Sequence, residues 1–415
     1  MSLHPVWGHE AEREALGSAA AEEILPAALL FHGSHGIGKQ RVAHWLAQLI
    51  VCEAPLRDEP CGACPPCRMA LSFEHPDIHY YLPLPRPKGA SGDRLTEALE
   101  EARLTELEDL RTTPLRPSHR DEVRGIYLGA VRNIRSQAHK RPAMSRGPIF
   151  IIGEAELLVP QEASPEAANA LLKLLEEPPG QAKFILTSSQ PERLLPTIRS
   201  RAVPLRLTPL NLGDITAFLE QEAGVEPSLA EWAGRLGQGS PGRALGFLPA
   251  GEEKGPLEKL RLRAFDIVAT AMSTDSSATY SLALGFPPAG ARGLIDLFGF
   301  VEEWLRDLAA LTAGAPKALL NHDRLSELEE WLSTSQIKAF HVTSAFGSVD
   351  QARELARRNV NPQLIISSLV GNLRKALRGH SQRGVITCPN MMTGLHISTL
   401  KGELRWSTLQ TRTSP

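Results

Sequence analysis

The sequence predicts an α/β module with a parallel sheet, then a small region of broken helices, then an all-α C-terminal part. Three observations carry this expectation. Over residues 1–208, short apolar runs alternate with stretches of helical periodicity, the pattern of strands joined by crossover helices. Gly33, Gly36 and Gly38 stand between the first apolar run and the first clear helix. From Pro256 onward apolar residues recur at helical spacing without strand-like alternation.

The elements follow in order. Ala28–His32 reads as a short buried strand, and residues 39–52 carry Val42, Trp45, Leu46, Leu49 and Ile50 on one helical face. Four cysteines then crowd into residues 52–67. Residues 82–124 are rich in Pro, Arg and Glu, include an acidic helical stretch at 93–110, and read as a surface insertion. Ile149–Ile152 is a second buried strand. Residues 165–177 are helical and are stopped by Pro178, Pro179 and Gly180. Residues 183–187 and 203–207 are the third and fourth strands. Short helices broken by Gly and Pro over 209–250 suit a small lid, and 251–379 reads as helices throughout. In the last helix Asn361 is a cap, Pro362 takes the first position, and Ile365, Leu369, Leu373 and Leu377 line one face. The tail, 380–415, reads as a small β element or as disorder. There is no repeat at solenoid periods.

The chain has 415 residues, enough for two to four domains with a sizeable core. A hydrophobic fraction of 42% and a charged fraction of 22% are ordinary for a globular protein. The net charge of -2 excludes a uniformly basic nucleic-acid binder. No apolar run reaches the roughly 18–20 residues that span a bilayer. Residues 1–12 lack a basic-then-apolar leader pattern, so the cytoplasm is expected.

The segment Gly33-Ser34-His35-Gly36-Ile37-Gly38-Lys39 fits the phosphate-loop pattern G-x-x-x-x-G-K, with Gln40 next. Strand before and helix after are the context it needs. Glycines let successive backbone N–H groups curl around a phosphate, and lysine adds a cation. A Ser or Thr hydroxyl normally follows the lysine and holds Mg²⁺. Gln40 is too long for that position. At the end of the second strand, Gly153 stands where a carboxylate is expected, with Glu154 after it. Two metal-binding contributions are thus missing, and the expectation is slow or absent hydrolysis with ATP or ADP binding left open. The alternative is a plain Gly-rich turn.

Cys52, Cys61, Cys64 and Cys67 give C-x8-C-x2-C-x2-C. Four thiolates suit tetrahedral Zn²⁺, and no added catalytic group lies within the turn, so a closed structural site is expected. An iron–sulfur cluster or free thiols are the alternatives. Cys388 stands alone.

These motifs, with His75-Pro76-Asp77, Ala167-Ala168-Asn169-Ala170-Leu171-Leu172-Lys173-Leu174-Leu175-Glu176-Glu177-Pro178-Pro179, Ile198-Arg199-Ser200-Arg201-Ala202 and Gly239-Ser240-Pro241-Gly242-Arg243-Ala244-Leu245, resemble the bacterial clamp-loader AAA+ family. The likeness is strong over about residues 1–250 and is seen again at 361–377. It implies an AAA+ P-loop module at 1–208 with a zinc knuckle, a lid at 209–250 and a collar at 251–379 for oligomerisation. It implies that Gly33, Gly36, Gly38 and Lys39 face phosphates. Gln40 and Glu154 would stand at the metal side, Thr187 or Ser188 at the first sensor position and Arg243 at the second. It implies that Arg201 enters a neighbour's ATP site as an arginine finger, a task suited to a permanently charged fork. The alternatives are a surface arginine at 201, with Arg199 nearby, and a solvated helix-end arginine at 243. Ala202 departs from the family's Cys. His75 and Asp77 read as a structural turn.

Gln40 and Gly153 favour a non-hydrolysing, delta-prime-like member over an active gamma/tau-like ATPase. The implied partners are gamma/tau-like ATPases and a delta-like clamp opener in a hetero-pentameric ring. A sliding clamp and primed DNA, held through its phosphates, complete the set. Such a chain serves a DNA-directed DNA polymerase, a nucleotidyltransferase, in DNA replication. A P-loop kinase or transferase is the remote alternative.

Overall fold

The computed structural model describes residues 3–87, 93–117, 124–158 and 166–378. The tail and Cys388 lie outside them, as do Pro165 and two pieces of the insertion. Helix α1 (Glu10–Ala21) precedes β1 (Ala28–His32), and α2 (Lys39–Val51) follows the glycine turn. Then come α3 (Pro65–Leu71), β2 (Ile78–Tyr81), β3 (Leu84–Pro85), α4 (Asp93–Thr112), β4 (Arg124–Gly125) and α5 (Leu128–Ala138). The module ends with β5 (Ile149–Ile152), α6 (Glu166–Glu176), β6 (Lys183–Ser188), α7 (Pro196–Arg199) and β7 (Val203–Arg206).

Five strands form one parallel sheet in the order β2-β5-β6-β1-β7. Successive side chains point to opposite faces, and both faces are covered. Leu29, Phe31, Ile149, Ile151 and Ile185 pack on the α2 side, while Leu30, Phe150, Ile152, Phe184 and Leu186 pack with α5 and α6. The anticipated parallel sheet is present, with one strand more than expected. Strand β2, Ile-His-Tyr-Tyr, has a single aliphatic residue. It is made a strand by its neighbour, since His79 stacks on Phe150 and Ile78 pairs with Ile149. Helices α1 and α5 were also not anticipated. The α5 sequence buries only a narrow stripe, Val131 and Ile134, with Ala138 at its end.

Asp77 shows why the His75-Pro76-Asp77 turn is structural. Its carboxylate accepts from the backbone N–H groups of Ala143 (2.7 Å), Met144 (2.8 Å) and Ser145 (2.7 Å). Burial opposes its charge, but these donors hold its pKa below the ordinary aspartate value. The turn therefore anchors the entry to β5. The acidic stretch is also less superficial than its composition suggests. Leu99 and Leu107 are buried, and Glu106 pairs with Arg116 (3.3 Å) and Arg124 (2.9 Å).

The remaining helices are α8 (Leu212–Gln221), α9 (Pro227–Gly237), α10 (Pro241–Leu245), α11 (Pro256–Met272), α12 (Ser276–Leu284), α13 (Leu294–Thr312), α14 (Leu325–Ser335), α15 (Ala339–Arg357) and α16 (Pro362–Leu377). One hydrophobic cluster runs from Ile215 in α8 to Leu377 in α16. Asn361 caps α16 by accepting from Gln363 N–H (2.8 Å), and the four apolar residues expected on one face are all buried. Arg261 is buried between Trp232 and Trp304, with its charge met by Glu258 and Asp323. Among the described residues no helix is long and apolar enough to cross a membrane.

Candidate functional site

The phosphate loop leaves β1 at His32 and enters α2 at Lys39. Gly33 has φ 152°, and a Cβ there would meet the Leu207 carbonyl oxygen at 2.4 Å, so only glycine fits. Gly36 and Gly38 have φ of 77° and 100°. Among the described residues no acceptor is found for the N–H groups of Gly36, Ile37 and Gly38, which leaves the curl of donors available to an anion. His9 steadies the loop from outside, its Nε2 lying 2.9 Å from the Ile37 carbonyl oxygen.

Lys39 is turned back into the loop. Its Nζ donates to the carbonyls of Gly33 (2.9 Å) and Ser34 (2.7 Å) and to Ser189 Oγ (2.9 Å). Burial pushes its pKa down to about 8, against the pull of Glu156 and Glu154. A phosphate must compete with three acceptors for this cation. Ser189 and Glu156 were not legible as site residues. Glu156 accepts from Ser189 N–H (2.9 Å) and so orients the residue that holds the lysine.

Gln40 and Gly153 meet in space. A Cβ on Gly153 would lie 2.6 Å from Gln40 Nε2 and 2.7 Å from Leu82 Cδ2. The glutamine amide therefore occupies the entrance to the space that a carboxylate at 153 would need. The two departures from a metal-binding site are one packing arrangement. Gly153→Asp is expected to cost about 1–3 kcal/mol by overpacking, and distinctly less when Gln40→Thr accompanies it. Thermal or denaturant unfolding of the four proteins in that cycle checks this. Equal costs in both backgrounds would show that the residues do not compete for space.

Glu154 adopts a left-handed conformation (φ 50°), and its N–H donates to Thr187 Oγ1 at 3.1 Å. Its carboxylate lies 3.9 Å from His35 Nε2. Thr187 is fully buried and supports the backbone of Glu154. The lid touches the loop through its own backbone and cap. Ser240 Oγ donates to the His35 carbonyl (2.8 Å), and Gly242 N–H donates to the Gly36 carbonyl (2.9 Å). Arg243 does not follow. It donates to the Leu236 carbonyl (3.1 Å), pairs with Glu303 of α13 (2.6 Å), and lies over the rings of Phe247 and Phe300. Arg243, expected toward phosphates, lines a cavity together with Ser34, His35 and Glu154 of the loop side, and there its guanidinium is held by Glu303 of α13.

Arg201 follows α7 at the exposed edge of the sheet. Its Nη1 donates to the Thr197 carbonyl (2.8 Å), and its Nη2 pairs with Glu176 at the end of α6. Its neighbour Ala202 is buried in the same core as Ile198 and Leu194, so position 202 is a packing position and leaves the arginine outside.

The four cysteines converge. Their sulfurs all lie within 4.8 Å of one another, and Cys61 Sγ is 4.0 Å from Cys67 Sγ. Tetrahedral Zn²⁺ with bonds of about 2.3 Å sets sulfurs roughly 3.8 Å apart, so the cluster fits a metal ion of that kind. Cys61 N–H donates to Cys52 Sγ (3.3 Å) and Cys64 N–H to Cys61 Sγ (3.4 Å). The N–H groups of Cys64 and Ala63 draw the Cys61 thiol down to about 6, while burial pushes the Cys52 and Cys67 thiols up. The knuckle lies apart from the phosphate loop, at the far end of α2.

Residues 8–211 match the family described as DNA polymerase III, delta subunit. The chain is 27% identical over 350 residues to the delta' subunit of DNA polymerase III from Escherichia coli K12, covering 83% of this chain and 87% of that protein. It is 34% identical over 237 residues to the delta' subunit from Pseudomonas aeruginosa, covering 57% of this chain and 55% of that one. It is 27% identical over 240 residues to the tau subunit from Salmonella typhimurium, covering 57% of this chain and 30% of that one. A gamma subunit-related protein from Thermotoga maritima overlays 88% of this chain with a TM-score of 0.41 at 15% identity.

Proposed function

The chain belongs to the clamp-loader family of DNA polymerase III, and from that premise we propose that it is a non-hydrolysing, delta-prime-like subunit. In this reading it sits in a hetero-pentameric ring with gamma/tau-like ATPases and a delta-like clamp opener. It supplies Arg201 to a neighbour's ATP site, and the ring places a sliding clamp on primed DNA in the cytoplasm. Helices α11 to α16 act as the collar, α8 to α10 as the lid.

One observation carries the choice. Gln40 stands where a metal-holding hydroxyl belongs, and its amide crowds the position of the missing carboxylate at Gly153. Charge neutralisation by Mg²⁺ supplies much of the catalysis of phosphoryl transfer. A site that blocks both protein ligands of that ion is a poor place to cleave ATP. The zinc assignment rests on the four converging sulfurs, with the ion serving to tie α2 to α3.

A second reading, an active gamma/tau-like ATPase, draws support from Lys39, the open N–H groups of the loop, Glu154 and the 27% identity to a tau subunit. Turnover separates the two. Purified chain with MgATP is expected to show no phosphate release above background. Release that vanishes in Lys39→Ala would overturn the non-hydrolysing reading.

A further inference from the structure

The cavity that Arg243 shares with the glycine loop holds about 810 Å³. That lies within the roughly 300–1,000 Å³ of small-molecule sites. Ser34, His35 and Glu154 line it from the module, Arg243 from α10 and Glu303 from α13. The backbone at Arg243 is close to the loop. The residue before it, Gly242, donates its N–H to the Gly36 carbonyl at 2.9 Å, and a Cβ at 242 would meet that same oxygen at 3.1 Å. Consecutive Cα atoms are about 3.8 Å apart, so a side chain as long as arginine's can reach the loop from the next position.

The guanidinium is turned the other way and is already neutralised. Its Nη2 lies 2.6 Å from Glu303 Oε1, and its Nε donates to the Leu236 carbonyl at 3.1 Å. Glu303 Oε1 also accepts from Gln238 Nε2 at 2.8 Å, and Gln238 Oε1 accepts from Arg306 of α13 at 3.3 Å. The side chains of Arg243 and Glu303 are only 27% and 17% exposed, so water screens this pair less than a surface pair. A carboxylate and a phosphate ask the same of arginine, charge-assisted hydrogen bonds from its fork. An arginine neutralised by a carboxylate brings no net charge to an anion, and here its fork points at α13.

We propose that Glu303 is an internal competitor for phosphate: its carboxylate occupies Arg243 in place of the phosphates of a nucleoside di- or triphosphate, and such a ligand binds by taking Arg243 from it. Because Glu303 belongs to α13, this exchange ties occupancy of the loop to the contact between α10 and α13. Phosphate binding weakens that contact, and by linkage the contact weakens phosphate binding by the same factor. This rests on reading the glycine loop as a nucleotide site; it depends neither on the role of Arg201 nor on whether the chain hydrolyses ATP.

The test is a titration of N-methylanthraniloyl-ADP, a fluorescent ADP analogue, into the full chain without Mg²⁺. Glu303→Gln keeps the shape of the side chain and removes its charge. Affinity is expected to rise about tenfold, the change for a cation that is available about one-tenth of the time. Arg243→Ala in the Glu303→Gln chain is expected to abolish the gain, because the gain passes through the arginine. Lys39→Ala is expected to weaken binding in every background, which reads the glycine loop by itself. Thermal unfolding of each variant confirms that it is folded. Lys39-dependent binding with equal affinity for the unaltered and Glu303→Gln chains overturns the competitor and leaves the nucleotide site standing. A gain that persists with Arg243→Ala also overturns it, since loss of negative charge alone would then account for the rise. Absence of binding by all the proteins overturns the site and the competitor together. Phosphate release from MgATP bears on the non-hydrolysing reading and leaves this comparison untouched.

Discussion

Arg201→Ala is expected to lower ATP turnover at the neighbouring site proposed for it in the reconstituted assembly by about 10³-fold or more, while leaving the chain folded. A finger supplied in trans is worth about 10³–10⁵ in rate, because its guanidinium meets charge that develops on the transferred phosphoryl group. The fold should survive because the partners of Arg201 are a half-exposed Glu176 and a local carbonyl, and an exposed ion pair contributes about 0–1 kcal/mol. Arg201→Lys keeps the charge but loses the fork, so it is expected to recover only part of the rate. Phosphate release by the assembly, with folding followed by circular dichroism, reads both effects. An unchanged rate with Arg201→Ala would remove the finger.

Loss of the metal proposed for the knuckle is expected to be the second large effect. One Zn²⁺ per chain is expected from metal analysis of protein purified without chelator. Binding of structural zinc by small peptides amounts to about 10–16 kcal/mol near neutral pH, nearly all of it folding energy. Here the sheet and its helices retain cores of their own, so the damage should be local. Cys67→Ser is expected to abolish zinc content and to raise hydrogen exchange over residues 52–72, with the buried start of α3 most affected. The sulfurs bind as thiolates, so occupancy is expected to fall as the solution is made acid. Protein that carries no zinc would leave the cysteines without the proposed role.

Much of the fold was legible because its signals are local. Ala28–His32 and Ile149–Ile152 are continuous apolar runs, as strands buried on both faces must be. The α16 helix announces itself through Asn361, Pro362 and four residues on one stripe. Strand β2 was not legible, because Ile78-His79-Tyr80-Tyr81 gains its strand character from pairing with β5. The site divides the same way. The glycines, Lys39 and the four cysteines are contiguous patterns. The partners that decide what they do lie far along the chain: Ser189 on Lys39, Glu303 on Arg243, Glu176 on Arg201.

By itself the sequence determined the class of the module, the phosphate-loop pattern, the cysteine cluster and the two positions, Gln40 and Gly153, that depart from the magnesium-binding pattern. Each of these is set by residue type and spacing over a few turns of chain. Only the tertiary structure decided that Gln40 and Gly153 share one space and that Arg243 pairs with Glu303 of α13. Those outcomes depend on side chains brought together across 60 to 113 residues. Packing among such distant groups is fixed by the shape of the folded core, and no local spacing encodes it.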